Sequence, residues 1–295
     1  MAVGQQVMAV ARPKQKDWVR ELRRLPWPAL IIIFSLVFAA LAAPLLSPHD
    51  PYEVNLPLRL LPPAWSEGGR SEFWLGTDTL GRDLLTRIMF GARVSLFVAV
   101  VVAATAGSIG YFLGVSAGYI GKAYGAIVMR IVDSILSIPT ILLAIVFAMT
   151  LGPSMRTVIL AITAVQWTRY ARIVRGETIS VAKRDYILQA KVAGCSPARI
   201  MMVHVVPNVF NVFMVMVSLQ LGTTILTEAS LSFLGAGIPP PTASWGQMIS
   251  EGRGYITSAW WITFFPGVAL ASLVFAFNLL GDWLRDRLDP RLRQL

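Results

Sequence analysis

Charge is scarce in this sequence. Only 14% of its 295 residues are Asp, Glu, Lys or Arg, against about 25% in ordinary soluble domains. A soluble core of this length needs a far more polar skin, so composition excludes a soluble globular enzyme. Cysteine occurs once, at Cys195, which excludes an internal disulfide framework and a multi-cysteine metal site. Histidine occurs twice, at His49 and His204. No HExxH, no GxSxG and no Cys/His cluster is present, so the common hydrolytic constellations are missing. A Walker A loop is missing too. Gly121-Lys122 comes nearest, but Ala123 follows it and the first glycine is lacking. If the protein uses ATP, another chain must bind it.

Apolar residues are abundant instead. They make up 55% of the chain, and the mean hydropathy is +0.62. That excludes disorder and leaves room for about six spans of ~20 residues. Ala29 to Leu46 runs without a charge and gives the first span. A cleaved signal peptide is the competing interpretation, since Ala40-Leu41-Ala42 has the small-x-small form. Five further spans are expected at about 93–120, 126–151, 156–173, 207–235 and 259–281. The organisation expected is therefore a polar tail 1–28, a first span 29–46, a loop 47–92, a core 93–283 of five spans, and a tail 284–295.

The net charge is +10. In so apolar a chain it points to loops beside an anionic membrane face and not to nucleic acid. With six spans and an inside N-terminus, 18 of the 26 Lys and Arg fall on the inner side. The positive-inside rule then places both termini in the cytoplasm, the 47–92 loop outside and the 175–206 segment inside. Trp65, Trp74, Trp245, Trp260 and Trp261 would sit outside or at the outer interface, as an aromatic belt. The fold class expected is an all-α membrane protein of six transmembrane helices.

Four features stand out. Thr77 to Gly91 reads as an amphipathic helix flat on the outer surface. Leu80, Leu84 and Ile88 share one face, Asp78–Arg82 and Asp83–Arg87 are i,i+4 pairs, and Thr77 or Asp78 can cap the start. Gly110, Gly114 and Gly118 form a ladder that lets two helix backbones approach closely. Asp133 and Glu228 are acids inside expected spans, where a carboxylate needs a partner or a task. Arg130, one turn before Asp133, offers the first a local ion pair. Glu228 has no basic neighbour in sequence. Lastly, Asp185 to Ala193 reads as a short helix, with Gly194 as an αL stop and Ser196-Pro197 as the start of a second helix. A helix this short needs a partner groove. Pro139 and Pro207 can kink or end spans.

The hairpin also carries a resemblance. Leu188-Gln189-Ala190, Gly194 and Val206-Pro207 have the spacing of the EAA loop of ABC importer permeases, E-A-A, three residues, G, nine residues, I, one residue, L-P. Ala190, Gly194 and Pro207 match. Leu188, Gln189, His204 and Val206 depart from it. Leu75-Gly76-Thr77-Asp78-Thr79-Leu80-Gly81-Arg82-Asp83-Leu84 resembles the external signature of the dipeptide/oligopeptide/nickel branch. So do Glu228 to Gly235 with Pro239-Pro240-Pro241 and Ser244-Trp245-Gly246. The ending from Ala276 to Asp282, then Leu284-Arg285-Asp286 and Leu288-Asp289-Pro290-Arg291, is similar again. The short first loop and this ending look like the C-type subunit.

The resemblance implies a multi-pass permease of a prokaryotic inner membrane, and no enzyme. Its partners would be a homologous second permease, two ATPases and an extracytoplasmic substrate-binding protein. ATP and Mg would sit in the ATPases, with no cofactor or metal on this chain. Asp185, Tyr186, Leu188, Gln189, Ala190, Lys191, Gly194 and Pro207 would couple to an ATPase. Thr77, Asp78, Arg82, Asp83 and Trp245 would meet the binding protein. The cargo would be di- or oligopeptides, or in related systems nickel chelate, glutathione or an oligosaccharide. Two other classes compete: an intramembrane enzyme using Ser or Cys195 with His204, and a proton-coupled transporter using Glu228.

Overall fold

The computed structural model describes residues 25–288. Most of the 1–28 tail and the Asp289-Pro290-Arg291 ending lie outside the described residues. Among those described, regular structure is helical, apart from one isolated bridge between Thr77 and Asp83. The longer helices are α1 Trp27–Leu46, α2 Leu84–Ile120, α3 Lys122–Leu136, α4 Thr140–Leu151 and α5 Met155–Val181. Then come α6 Asp185–Val192, α7 Pro197–Phe233, α8 Trp245–Gly252 and α9 Trp261–Leu288.

Helices α1, α2, α7 and α9 are long and apolar enough to cross a membrane. The pair α3 and α4 makes a fifth candidate if counted as one span, although it bends by 82°. The bend lies at Ser137-Ile138-Pro139, where proline supplies no donor to continue the ladder. Helix α5 has 27 residues but is not among the candidates by composition. Arg169 and Arg172 interrupt its apolar run.

The expected surface helix at 77–91 does not form. Gly81 turns the chain with φ +76°, and Asp83 caps a new helix at Leu84 by accepting from the Thr86 N–H at 3.0 Å and the Thr86 hydroxyl at 2.6 Å. That helix continues without a break into the span, for 37 residues. Leu80 is therefore exposed while Leu84 is buried. The apolar i, i+4 spacing crosses a helix boundary and makes no shared face. Trp245 and Trp261 are also placed differently from an interfacial belt. Both are buried and donate from their indole nitrogens, Trp245 to Ile88 O at 3.0 Å and Trp261 to Thr77 O at 3.2 Å. Trp65, Trp74 and Trp260 are exposed.

Helices α2 and α5 share the most extensive interface. Water drives no association between helices in lipid, so contact depends on close packing. The glycine ladder supplies it. A Cβ on Gly110 would lie 2.4 Å from Tyr170 Cβ and 2.5 Å from Trp167 O, and one on Gly114 2.7 Å from Ala171 O. One on Gly118 would meet Thr178 Cβ at 2.7 Å. The ladder is thus a seam within this chain.

Replacing Gly110 by Leu should force the two helices apart and destabilise the protein by about 1–3 kcal/mol, the usual cost of overpacking. Gly176→Ala, on the same helix pair but with nothing within 4 Å of an added Cβ, should stabilise by about 0.5–1 kcal/mol through helix propensity. Thermal midpoints in detergent measure both. Equal midpoints for the two variants would contradict the seam.

Candidate functional sites at the two ends of the bundle

At one end, residues 47–83 and the 234–260 connection fold into a cap over α2, α7 and α9. Four charged side chains lie beneath it. Asp78 Oδ2 accepts from Arg82 Nε at 2.6 Å, and Arg82 Nη2 reaches Glu251 Oε2 at 3.0 Å. Arg87 is completely buried, with Nη1 3.3 Å from Asp78 and Nη2 3.5 Å from Glu251. These last contacts are too oblique for hydrogen bonds, so Arg87 is held by charge and packing. Burial pushes the Glu251 carboxyl up from its ordinary value, against the downward pull of Arg82.

Two expectations change here. Asp78–Arg82 pairs across a turn and not along a helix. Asp83–Arg87 does not pair, because Asp83 is the cap of α2 and Arg87 turns to Asp78 and Glu251. Thr77, Asp78, Arg82, Asp83 and Trp245 are all buried. Their side chains are used inside the cap, beneath its exposed surface. Glu251 and Gln247, which hydrogen-bond at 3.0 Å, were not singled out from sequence. The one available signal was Arg87, a charge set just before a long apolar run.

Glu228 is fully buried, near this end of α7. Its oxygens accept from Ser95 Oγ at 3.2 Å and Ser232 Oγ at 2.8 Å. Its partners are hydroxyls, one on a neighbouring helix, and not a base. Asp133 pairs with Arg172 of α5 instead of the expected Arg130. Among the described residues no group of three His, Cys, Asp or Glu could hold a metal.

The other end carries the hairpin. Asp185 stands in the first turn of α6 and Lys191 in the last, each opposite in sign to the adjacent helix pole. Gly194 adopts φ +78°. Its N–H donates to Lys191 O and the Cys195 N–H to Ala190 O, both at 3.1 Å, a glycine-closed helix end. Ser196 Oγ accepts from the Arg199 N–H at 3.3 Å and starts α7. Ile187 is fully buried, in one apolar cluster with Tyr111, Val174, Val181 and Ile200. Leu188 and Val192 are 47% and 90% exposed. Tyr186 sits edge-on to His204, with ring centroids 6.4 Å apart. Gln189 and Ala190 lie between Leu188 and Val192 on α6.

The hairpin then enters α7 through a π-helical stretch, Ile200–Val205. The Val206 N–H donates to Met201 O, and Pro207 has no N–H to continue the pattern. Tyr111 O–H donates to Val206 O at 2.6 Å. This contact was also missed, since nothing in sequence links residues so far apart.

Residues 110–294 match the family described as binding-protein-dependent transport system inner membrane component. Residues 23–63 match the N-terminal TM domain of oligopeptide transport permease C. The chain is 41% identical over 265 residues to the dipeptide transport system permease protein DppC of Haemophilus influenzae, covering 90% of each. It is 37% identical over 298 residues to the probable D,D-dipeptide transport system permease protein DdpC of Escherichia coli, covering 99% of this chain and 98% of that one. A crystal structure of an amino acid ABC transporter with histidines shares the fold, with a TM-score of 0.50 and 14% identity over 71% of this chain and 94% of that one. The chain belongs to the family of binding-protein-dependent inner-membrane transport components. It is a membrane permease subunit.

Removing Arg87 should leave Asp78 and Glu251 short of a positive neighbour in a buried site. Arg87→Met is expected to cost about 3–5 kcal/mol. Arg87→Met combined with Glu251→Gln should recover part of that. A wild-type melting midpoint for the single variant would show that the cluster does not hold the cap.

Proposed function

We propose that this chain is the C-type permease subunit of an ATP-driven importer of di- or oligopeptides, forming half of the translocation pathway. The hairpin carries the proposal. One side of α6 is locked into the bundle by Ile187, while Leu188 and Val192 are left free for a groove on another protein. In the importer, α6 docks into an ATPase subunit. ATP binding closes the ATPase pair, and the motion passes through α6 into α5 and α7. A second, homologous permease completes the pathway. ATP and Mg belong to the two ATPases, and this chain needs neither cofactor nor metal of its own.

Six spans follow if α3–α4 counts as one broken span and α5 as another. Helix α5 can cross lipid despite its arginines because α2, α4 and α7 surround much of it. Both termini then lie in the cytoplasm of a prokaryotic cell, and the capped end faces outward. The binding protein would dock on the exposed part of the cap, which includes Trp65, Trp74 and Trp260. The buried cluster would shape that surface from below. Peptide cargo is favoured by the names of the relatives above, over nickel chelate, glutathione or oligosaccharide. Glu228, held by serines at one end of the bundle, offers no chain of titratable groups for proton coupling.

Gly194 separates two effects. An added side chain meets open space, so its bulk clashes with nothing in this fold, while the backbone strain at φ +78° is what Asn keeps small. Gly194→Asn, tolerated at positive φ, should retain most ATP-driven peptide uptake in vesicles holding the full importer. Gly194→Trp should abolish uptake or uncouple ATP hydrolysis from it. Normal, coupled uptake by Gly194→Trp would reject α6 as the coupling element.

A further inference from the structure

Helix α2 carries a charge inside its apolar run that the cap does not use. Arg93 is exposed and lies on a helix long and apolar enough to cross a membrane. Among the described residues it pairs with no carboxylate. It lines a groove of about 530 Å³ between α1 and α2. Val37 and Leu41 of α1, Phe97 and Val100 of α2 and Met155 at the start of α5 line the same groove, and Arg93 is its one polar lining residue. Leu41, Phe97 and Val100 are exposed, so the groove is open along its length.

Depth gives the groove a direction. Both helices meet the cap, α1 at its end and α2 at its start. Helix α1 has 20 residues, ~30 Å at 1.5 Å per residue, which matches a bilayer core. Leu41 then lies ~8 Å and Val37 ~14 Å below the capped edge of that core. Arg93 belongs to the capped end of the groove, since Phe97 and Val100 follow it along α2, away from the cap. Its guanidinium carbon sits 5.7 Å from the centroid of the Phe90 ring, and Phe90 is one turn nearer the cap. The charged head is therefore turned toward the membrane surface, as a snorkelling side chain is. The apolar part of the groove runs below it, toward the middle of the bilayer.

We infer that this groove holds an acyl chain of an anionic phospholipid, with Arg93 on the lipid phosphate. The chain lies along Leu41, Phe97 and Val100, and the headgroup lies at the capped end. A guanidinium fork matches phosphate oxygens with two parallel hydrogen bonds. One unpaired cation above an apolar slot calls for a ligand with a net negative charge and a hydrocarbon tail, and a phospholipid joins both in one molecule. A helix of another protein would have to set an acid at the depth of Arg93, where carboxylates are rare. The lipid fills the gap between α1 and α2 and braces the first span against the bundle. The inference needs only that α1 and α2 cross the membrane, and it is independent of the cargo.

The test uses the complete transporter in phosphatidylcholine nanodiscs that contain a small fraction of phosphatidylglycerol with a photoreactive diazirine on its acyl chain. After illumination, labelled peptides are read by mass spectrometry. Phosphatidylcholine with the same diazirine is the reference probe. Segments 37–41 and 93–100 should take up about fivefold more label from the phosphatidylglycerol probe than from the reference, the effect of one cation at an anionic headgroup. Arg93→Gln should remove that preference, and Arg93→Lys should keep part of it, because the charge remains while the fork is lost. Arg93 is exposed, so both variants should keep the melting midpoint of the unmodified protein. Equal labelling by the two probes in the unmodified transporter overturns the proposal, since the groove would then hold bulk lipid only. A preference that survives in Arg93→Gln overturns it too. So does the absence of label from both segments, and a crosslink from Leu41→Cys to another subunit would then identify a protein as the cover.

Discussion

The backbone contact between α2 and α5 is the constraint on which the rest depends. In water, burial of apolar side chains would hold a bundle together. In lipid that force is absent between helices, and close approach must replace it. Gly110, Gly114 and Gly118 allow that approach over two full turns. Helix α5 carries arginines and could not be exposed to lipid all round. It is tolerated because α2 covers one side of it. The hairpin follows directly from α5, so its position is set by the same seam.

The two ends of the bundle are stabilised in different ways. The capped end uses buried charge. Asp78, Arg82, Arg87 and Glu251 come from three separate segments and tie the first loop, the start of α2 and α8 together. Such clusters contribute little net stability but penalise every other arrangement. The hairpin end uses local chemistry. Gly194, Ser196 and the buried Ile187 fix its shape with few long-range contacts. One end is thus tied by contacts between distant segments, and the other is determined locally.

Much of this was legible in the sequence. The helix stop at Gly194 and the cap at Ser196 depend on neighbours in the chain, so spacing alone predicts them. The apolar runs of α1, α2, α7 and α9 are equally plain. What escaped was tertiary. The 77–91 stripe has helical spacing, but Gly81 and the Asp83 cap divide it, and caps override periodicity at a boundary. Asp133 chose Arg172 over Arg130 because partners on a facing helix compete with those one turn away. Trp245 and Trp261 went inward because the cap offers their indole N–H groups carbonyl oxygens. Motif matching singled out Thr77, Asp78, Arg82, Asp83 and Trp245 without showing that they are buried in that cap, since a motif marks where residues recur and not which way they face.

The π-helical stretch before Pro207 has a geometric consequence. A π-turn acts as one residue inserted into an α-helix, and each residue of an α-helix turns the chain by about 100°. The hairpin is therefore rotated by about that angle from where a regular helix would aim it. The π-turn thereby lets the Ser196–Arg199 turn meet α7 in the phase that the α5 side and the buried Ile187 have already imposed on the hairpin, beside the Tyr111 hydroxyl.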